Sequence, residues 1–308
     1  MRTVEEETRR HGDKETGNPR KHALSANSSP LLPFSSSPLL LVFRHAALIG
    51  IGLFFVLPFY WLVATALKPD AQIFAMPPVW APRPPQWTNF PRAVRYIPFA
   101  LYTWNTLKIC LLSGLGTVVS CSLVAYSLAK IRWKGRDIVF FSLIATMILP
   151  GQVTMIPTFA IFKALGWIGT TLPLIVPSWF GSAFNIFLLR QFFMTIPAEL
   201  SDAAQIDGCS EFGIYRMVVL PLARPALATV ALFTFIGNWN DFLGPLLYLN
   251  DERSYTLSLG LQRFVSQHGA EWAMLMAAST IMTLPIIIVF FLAQRTFIQG
   301  VTLTGIKG

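Results

Sequence analysis

The sequence has little charge and few cysteines for a chain of its length. Only 13% of its 308 residues are Asp, Glu, Lys or Arg, against roughly 25% in typical soluble domains. Hydrophobic residues make up 54% of the chain, and the mean hydropathy is +0.54. This composition excludes an ordinary soluble domain and predicts a protein whose surroundings are largely lipid.

The three cysteines are too few and too dispersed for a disulfide framework or a zinc site. Cys110 and Cys121 lie in one apolar segment, about 16 Å apart along a helix and beyond the reach of a disulfide. Cys209 stands alone in a polar stretch, and no CxxC pattern occurs. The sequence therefore predicts no disulfide and no bound metal in this chain.

Motifs of nucleotide chemistry and of catalysis are missing as well. The sequence contains no GxxxxGK[ST] phosphate-binding loop. Its four histidines are scattered along the chain and form no acid–base arrangement. We therefore expect a chain that is not itself an enzyme, has no catalytic residue and holds no cofactor.

Long apolar runs are what the sequence does have. Residues 1–38 are polar and rich in Ser, Pro and charge, which predicts a disordered tail. Membrane crossing requires about 20 apolar residues, and six later segments meet that length: 46–67, 103–128, 138–162, 171–193, 225–249 and 272–293. The expected fold is an all-α integral membrane protein, with six transmembrane helices in a domain of residues 39–308. Pro150 and Pro157 are expected to bend the third helix.

The distribution of Lys and Arg predicts how the chain is oriented in the membrane. The segment before the first span is rich in basic residues, and the loop KIRWKGRD at 130–137 holds four more. Basic loops stay on the cytoplasmic side, so we expect both termini and the loop 194–224 to be cytoplasmic. The net charge of +9 is then a topology signal, and nucleic acid is not an expected partner.

The loop 194–224 contains the polar stretch SDAAQIDGCS, which predicts a helical hairpin. Pro197 suits the first turn of a helix over 198–207, and Gly208 suits its left-handed end. Ser210 can cap a second helix over 211–220. Physical chemistry alone leaves two alternatives open, an interfacial hairpin without a partner and a surface that docks another protein.

The same loop resembles the EAA loop of permease subunits in binding-protein-dependent ABC importers. The family pattern is Glu-Ala-Ala, three residues, Gly, nine residues, a branched aliphatic, any residue and Leu-Pro. The matching residues here are Asp202, Ala203, Ala204, Gly208, Val218, Leu220 and Pro221. The sequence departs from the pattern with Asp202 in place of Glu and Cys209 where Ala is common. The resemblance implies that this region, including Asp207, couples the chain to an ATPase.

Further stretches resemble the G-type second subunit of maltose-family sugar importers. They are WLVATALKP (61–69), LPGQVTMIPTFAIFKALGW (149–167), FNIFLLRQFFMTIP (184–197), WNDFLGPLLYL (239–249) and QGVTLTGIKG (299–308). The resemblance covers about residues 50–308 and implies a type I ABC importer (MetI-like) permease in a bacterial cytoplasmic (inner) membrane. The implied partners are a second, related permease subunit in a heterodimer, two ATPase subunits that hold ATP and Mg, and an extracytoplasmic solute-binding protein that delivers a saccharide.

A few polar residues interrupt the predicted spans. Asn238, Trp239, Asn240 and Asp241 lie within the fifth span, and Gln152 lies beside Pro150 in the third. Polar groups at membrane depth are expensive and usually face a cavity, and broken helices line the solute path in many transporters. We expect these residues to line a solute path, with hydrogen bonding and packing between helices as the alternative.

The sequence thus predicts a permease subunit that forms half of the pore of an ATP-driven importer of a sugar or oligosaccharide. Three alternatives share this architecture and differ in cargo, which would be a polyol, a glycerophosphodiester or an acidic saccharide. A membrane-embedded enzyme or receptor is a different class. It would need a catalytic dyad or a metal cluster in the spans, and none is visible in the sequence.

Overall fold

The computed structural model describes residues 38–266 and 269–302. The predicted disordered tail at 1–38 lies outside the described residues except for Pro38, where the first helix begins. The described residues divide into two units at residue 54, so that the first unit contains residues 38–54 of the described chain and the second begins at Phe55.

The described residues are mostly helical, with very little strand, which confirms the all-α prediction. The α-helices are α1 Pro38–Ala66, α2 Asp70–Ile73, α3 Asn89–Tyr96, α4 Phe99–Ala129, α5 Arg136–Ala145, α6 Gly151–Ala164, α7 Leu172–Ile175, α8 Ala183–Thr195, α9 Ala198–Ile206, α10 Glu211–Ile214, α11 Leu220–Leu222, α12 Arg224–Asn240, α13 Leu243–Tyr248, α14 Leu257–Leu261 and α15 Trp272–Thr302. Short 3₁₀ helices cover Thr146–Ile148, Val176–Phe180, Glu252–Ser254 and Gln262–Phe264, and a π-helix covers Tyr215–Val219. Two strands that the sequence does not predict, β1 Val265–Ser266 and β2 Gly269–Ala270, pair antiparallel.

Among the described residues, four helical segments are long and apolar enough to cross a membrane. They are Leu40–Ala66, Phe99–Ala129, Leu172–Thr195 and Trp272–Gln294. Two further segments consist of two helices with a sharp bend between them. The bend is 100° between Arg136–Ile148 and Gly151–Ala164, and 78° between Glu211–Leu222 and Arg224–Asn240. Six spans result when each bent pair is one crossing.

The breaks within these segments have local causes. Pro150 adopts an extended backbone conformation ahead of α6, which ends the preceding helical segment there. Pro157, by contrast, lies inside α6, where a bend was also expected. The predicted continuous segment 225–249 is interrupted, because α12 ends at Asn240 and Asp241 is extended before α13 begins.

The described part of the first unit is the beginning of α1. The side chains from residue 40 to residue 54 are exposed, and most are large and apolar. Within this helix, the His45 Nδ1 atom lies 2.7 Å from the Leu41 carbonyl oxygen. A helix that is apolar on all its faces suits a lipid environment.

The second unit has two clusters of buried side chains, and α4 contributes to both. Its first half supplies Tyr102 and Cys110 to a cluster that also contains residues of α3, α12, α14 and α15. Its second half supplies Cys121 and Tyr126 to a cluster with residues of α5, α8 and α10 to α12. A hydrogen bond from a side chain to the backbone adds to this packing. The Ser113 hydroxyl donates to the Leu174 carbonyl at 3.0 Å. In the second unit, α4 is therefore the helix that connects the two buried clusters.

Candidate functional site

The polar loop forms a helical hairpin with a glycine at its turn. The first helix, Ala198–Ile206, occurs where the sequence predicts one. Gly208 has φ +83°, the left-handed conformation that favours glycine. Its N–H donates to the Gln205 carbonyl at 3.0 Å, and the Cys209 N–H donates to the Ala204 carbonyl at 2.9 Å. These two bonds satisfy carbonyls that the helix end would otherwise leave unpaired.

The second arm of the hairpin begins as predicted and then departs from the prediction. The Ser210 hydroxyl oxygen accepts a hydrogen bond of 3.2 Å from the Gly213 N–H, which caps α10. The expected single helix over 211–220 is instead α10 followed by the π-helix Tyr215–Val219. Pro221 lies near the start of α11, where its missing N–H is tolerated, and the 78° bend follows after Leu222.

The residues of the EAA-like pattern occupy the surface of this hairpin, which we name the loop hairpin, residues 198–222. Asp202, Ala203, Asp207, Gly208 and Pro221 are exposed, whereas Ala204 and Leu220 are partly buried. Large apolar side chains are also exposed on the loop hairpin, namely Leu200, Ile206, Phe212, Met217 and Leu222. Small and acidic residues beside exposed apolar ones form a surface suited to contact with another protein.

Two tyrosines fasten the loop hairpin to α4. The Tyr126 hydroxyl donates to the Glu211 carboxylate at 2.8 Å. The Tyr215 hydroxyl lies 2.8 Å from the Ser122 hydroxyl, and both of these residues are buried. The two tyrosine rings also pack together, with centroids 5.2 Å apart. The hairpin is therefore held against the last turns of α4 by hydrogen bonds and by ring packing.

Lys130 supports the entry to the loop hairpin from the other side. Its ammonium group donates to the Ile196 carbonyl at 2.6 Å. It borders a cavity of about 500 Å³ that is also lined by Asp202, Gln205 and Glu211. Burial lowers the pKa of Lys130 from its ordinary value of 10.5, and the charges of Glu199 and Asp202 oppose that shift.

A second cavity, of about 370 Å³, lies between α6 and α13, and we name it the α6–α13 cavity. Its lining residues are Gly151, Gln152, Thr154, Met155, Thr158, Asp241, Leu243, Gly244, Leu247 and Tyr248. One Asp241 carboxylate oxygen accepts a hydrogen bond of 3.0 Å from the Gly244 N–H. The structure thus brings together Gln152 and Asp241, which lie in different predicted spans.

The other polar residues of the fifth predicted span do not line this cavity. Trp239 is only 1% exposed, and its indole N–H donates to the Met282 carbonyl at 3.1 Å. The Asn240 amide donates to the Ile236 carbonyl of its own helix at 2.9 Å. The Asn238 amide nitrogen is buried and has no hydrogen-bond partner among the described residues. These positions favour the packing alternative for Trp239 and Asn240.

Sequence reasoning missed the residues that join the loop hairpin to α4. Tyr126, Lys130, Glu211 and Tyr215 carry no recognisable spacing, because their partners are 66 to 93 residues away. The one available signal is that Tyr126 carries a hydroxyl group within a membrane-length helix, and such groups need a partner. No group of three or more His, Cys, Asp or Glu side chains within 38–266 and 269–302 could hold a metal ion.

Comparison with known proteins gives consistent matches over this region. A family model described as binding-protein-dependent transport system inner membrane component matches residues 121–303. The arabinooligosaccharides transport system permease protein AraQ of Bacillus subtilis is 30% identical over 275 residues, which cover 84% of this chain and 92% of that protein. The sn-glycerol-3-phosphate transport system permease protein UgpE of Yersinia enterocolitica is 33% identical over 271 residues, 84% of this chain and 95% of that protein.

A solved structure shares the fold. It is the crystal structure of a bacterial ABC transporter involved in the import of the acidic polysaccharide alginate. The TM-score is 0.74 at 24% sequence identity, and the match covers 85% of this chain and 98% of that one. The arrangement of helices described above is therefore the arrangement of a known transporter subunit.

Proposed function

The chain belongs to the binding-protein-dependent transport system inner membrane components, and on that premise we propose how it works as a permease subunit of an ABC importer. It forms half of the pore and translocates a sugar or oligosaccharide. The other half is a second, related permease subunit, so that the two chains form a heterodimer. An extracytoplasmic solute-binding protein delivers the cargo.

The loop hairpin is the observation that carries this proposal. It combines an exposed small-residue helix, a left-handed Gly208 and exposed apolar side chains such as Ile206, which is 87% exposed. It is also fastened to α4 through Tyr126. A surface of this kind can bind in a groove of a partner protein and transmit the partner's movement to α4. We assign the ATPase contact to Asp202, Ala203, Ala204, Asp207, Gly208, Leu220 and Pro221.

Two ATPase subunits supply the energy, with ATP and Mg bound to them, because this chain has no phosphate-binding loop. Their closure pushes the loop hairpin of each permease subunit. ATP then shifts the population between inward-open and outward-open states through contacts that differ between the two states. In this chain α4 is the first helix to receive the movement, since Glu211 and Tyr215 both bond to it.

The solute path in this chain runs along the α6–α13 cavity. Gln152 and Asp241 supply polar groups there, at a helix break of the type that lines cavities in transporters. Asn238 lies outside this cavity and is assigned to another part of the path, because its buried amide nitrogen has no hydrogen-bond partner among the described residues. Trp239 and Asn240 support the path only through the packing and position of α12.

The proposed setting is the bacterial cytoplasmic membrane, with both termini and the loop 194–224 on the cytoplasmic side. The basic loop at 130–137 supports this orientation. It lies next to the loop hairpin, because Lys130 bonds to Ile196 at the entry of that hairpin. An even number of crossings, such as the six proposed over residues 39–308, leaves both termini on the same side of the membrane.

The test is solute-stimulated ATP hydrolysis by the complete importer in liposomes. The chain is co-expressed with its second permease subunit, the ATPase subunits and the binding protein, and saccharides are screened. Gly208→Pro is compared with wild type, because proline cannot adopt φ +83°. Stimulation by a saccharide, lost in Gly208→Pro, is the expected result.

Gly213→Ala is the matched control in the same loop. Gly213 lies in α10, and an added methyl group there would make contacts of 3.4 Å or longer. This variant should keep wild-type stimulation. Full stimulated transport by an assembled Gly208→Pro complex would remove the coupling role of the hairpin. Stimulation by a polyol or a glycerophosphodiester in place of a saccharide would change the assigned cargo and leave the permease function standing.

A further inference from the structure

The α6–α13 cavity has one charged side chain among its lining residues, the carboxylate of Asp241. No Lys, Arg or His lines it, and Asp241 forms no ion pair within the described residues. Lys163, the one basic residue of α6, is exposed and lies outside the cavity lining. The cavity therefore presents an uncompensated negative charge to whatever enters it.

The carboxylate is held in a fixed position and keeps free acceptor capacity. One oxygen accepts the Gly244 N–H at 3.0 Å, and the same group packs against the Gly244 backbone, where an added methyl group would meet it. The other oxygen has no hydrogen-bond partner among the described residues. An ionised carboxylate can accept about four hydrogen bonds, so the capacity for a ligand is substantial.

Neutral polar groups complete the lining. The amide of Gln152 and the hydroxyls of Thr158 and Tyr248 make no hydrogen bond within the part of the chain that the structure describes. Amides and hydroxyls both donate and accept, whereas the carboxylate only accepts. The combination suits a ligand with many hydroxyl groups, whose protons can be donated to Asp241.

The relatives do not decide the charge of the cargo. One is named for arabinooligosaccharides, which are neutral, and another for glycerol 3-phosphate, which is an anion. An anion beside Asp241 would be repelled by the carboxylate at short range. It would also find no cationic side chain in the lining to replace its lost hydration.

We propose that the α6–α13 cavity selects uncharged, polyhydroxylated solutes and excludes anionic ones, with Asp241 as the selecting group. The cargo is then a neutral saccharide, and phosphorylated, sulfonated and uronic-acid solutes are excluded. This inference rests on the proposed function, because it assigns the cargo class of the same path.

The experiment uses the complete importer in liposomes with its binding protein. It is offered matched pairs, in which a neutral oligosaccharide is set against its uronate or phosphorylated counterpart of the same size and linkage. Uptake of the neutral member should be at least about tenfold faster than uptake of the anionic member. Asp241→Asn keeps the size and the acceptor for Gly244 but removes the charge, and it should slow neutral uptake about tenfold, as expected for a lost charge-assisted hydrogen bond.

Asp251→Asn is the matched control. Asp251 also accepts a backbone N–H at 3.0 Å, that of Arg253, but it is exposed and lies outside the cavity. It should retain wild-type uptake. Thr158→Val provides a second variant that does not alter the bond to Gly244, and it should also slow neutral uptake.

The outcomes separate the two proposals. Faster uptake of the anionic members would overturn the charge selection and leave the importer function standing. Wild-type neutral uptake in both Asp241→Asn and Thr158→Val would overturn the assignment to this cavity. Absence of uptake of every member of both series would overturn the saccharide cargo of the proposed function, and this inference with it.

Discussion

The hydroxyl group of Tyr126, in the last turn of α4, donates a 2.8 Å hydrogen bond to the carboxylate of Glu211, the first residue of α10. It also lies 3.2 Å from the Glu211 carbonyl oxygen. A second bond, between Ser122 and Tyr215, lies one helical turn earlier on α4. Two bonds in register on one helix fix the orientation of α10 as well as its position, so α10 and α4 should move together.

Replacing Tyr126 with Phe removes this bond and leaves the ring packing in place. The free energy of unfolding should fall by about 1 kcal/mol, the usual net value of one hydrogen bond. Uptake of solute per ATP hydrolysed should also fall, because one of the two hydrogen bonds described between the loop hairpin and α4 is then lost. Both are measured on the reconstituted importer. Tyr60→Phe, which removes an exposed bond to the Trp80 carbonyl, is the control. Unchanged uptake per ATP in Tyr126→Phe would limit the bond to a structural role.

The stability contributed by Lys130 should depend on pH in a defined direction. Burial lowers its pKa in the folded protein below 10.5. Between the two pKa values the unfolded chain binds more protons than the folded chain, so stability rises with pH across that window. Thermal unfolding of wild type and Lys130→Met, compared from neutral pH to about pH 10.5, should show a difference that moves in favour of wild type as pH rises. A difference that moves the other way would contradict the burial of this amine.

Two glycines of α4 should respond in opposite ways to the same substitution. A methyl group on Gly116 would lie 2.6 Å from the Trp179 ring, whereas one on Gly114 would meet nothing within 4 Å. Gly116→Ala should lower the free energy of unfolding by about 1–3 kcal/mol, as overpacking does. Gly114→Ala should raise it by about 0.5–1 kcal/mol through helix propensity. Thermal unfolding of the purified complex checks both, and shifts of the same sign would refute the packing described for Gly116.

Two threonines of α4 form a similar pair. The Thr106 hydroxyl oxygen accepts the Leu257 N–H at 2.8 Å, and both residues are buried. The Thr103 hydroxyl is buried and has no hydrogen-bond partner among the described residues. Thr106→Val leaves an unpaired N–H and should cost about 1–3 kcal/mol, whereas Thr103→Val should be neutral or stabilising. Thermal unfolding again provides the measurement, and a larger loss in Thr103→Val would show that its hydroxyl has a partner in the assembly.

Local signals predicted the helices, the hairpin turn and the bend at Pro150, but not the break in the fifth predicted span. Gly208 and Ser210 act through bonds to residues three or four positions away, so the sequence contains all that is needed to place them. The end of α12 at Asn240 was missed, because apolar residues continue on both sides of it. What ends the helix there is Asp241, which is extended and bonds forward to Gly244.

Tertiary contacts explain the rest of what could not be predicted. Gln152 and Asp241 were singled out separately as polar residues in apolar segments, and only the folded chain places them in one cavity. Trp239 was singled out on the same grounds, yet its polar atom bonds to a carbonyl of α15. A polar side chain in an apolar run has to find a partner, and the sequence alone does not say whether that partner is protein or solute.

The unbroken length of α4 sets a limit on how this chain can change. Each helical residue adds about 100° of rotation and 1.5 Å of rise. One residue inserted near Gly114 would therefore turn Asn105, which bonds to the carbonyls of Arg253 and Tyr255, out of phase with Tyr126. A substitution does not change the angle about the helix axis between these two side chains, whereas a single insertion or deletion between them does. The length of α4, 31 residues, is therefore constrained even at positions where the type of residue can vary.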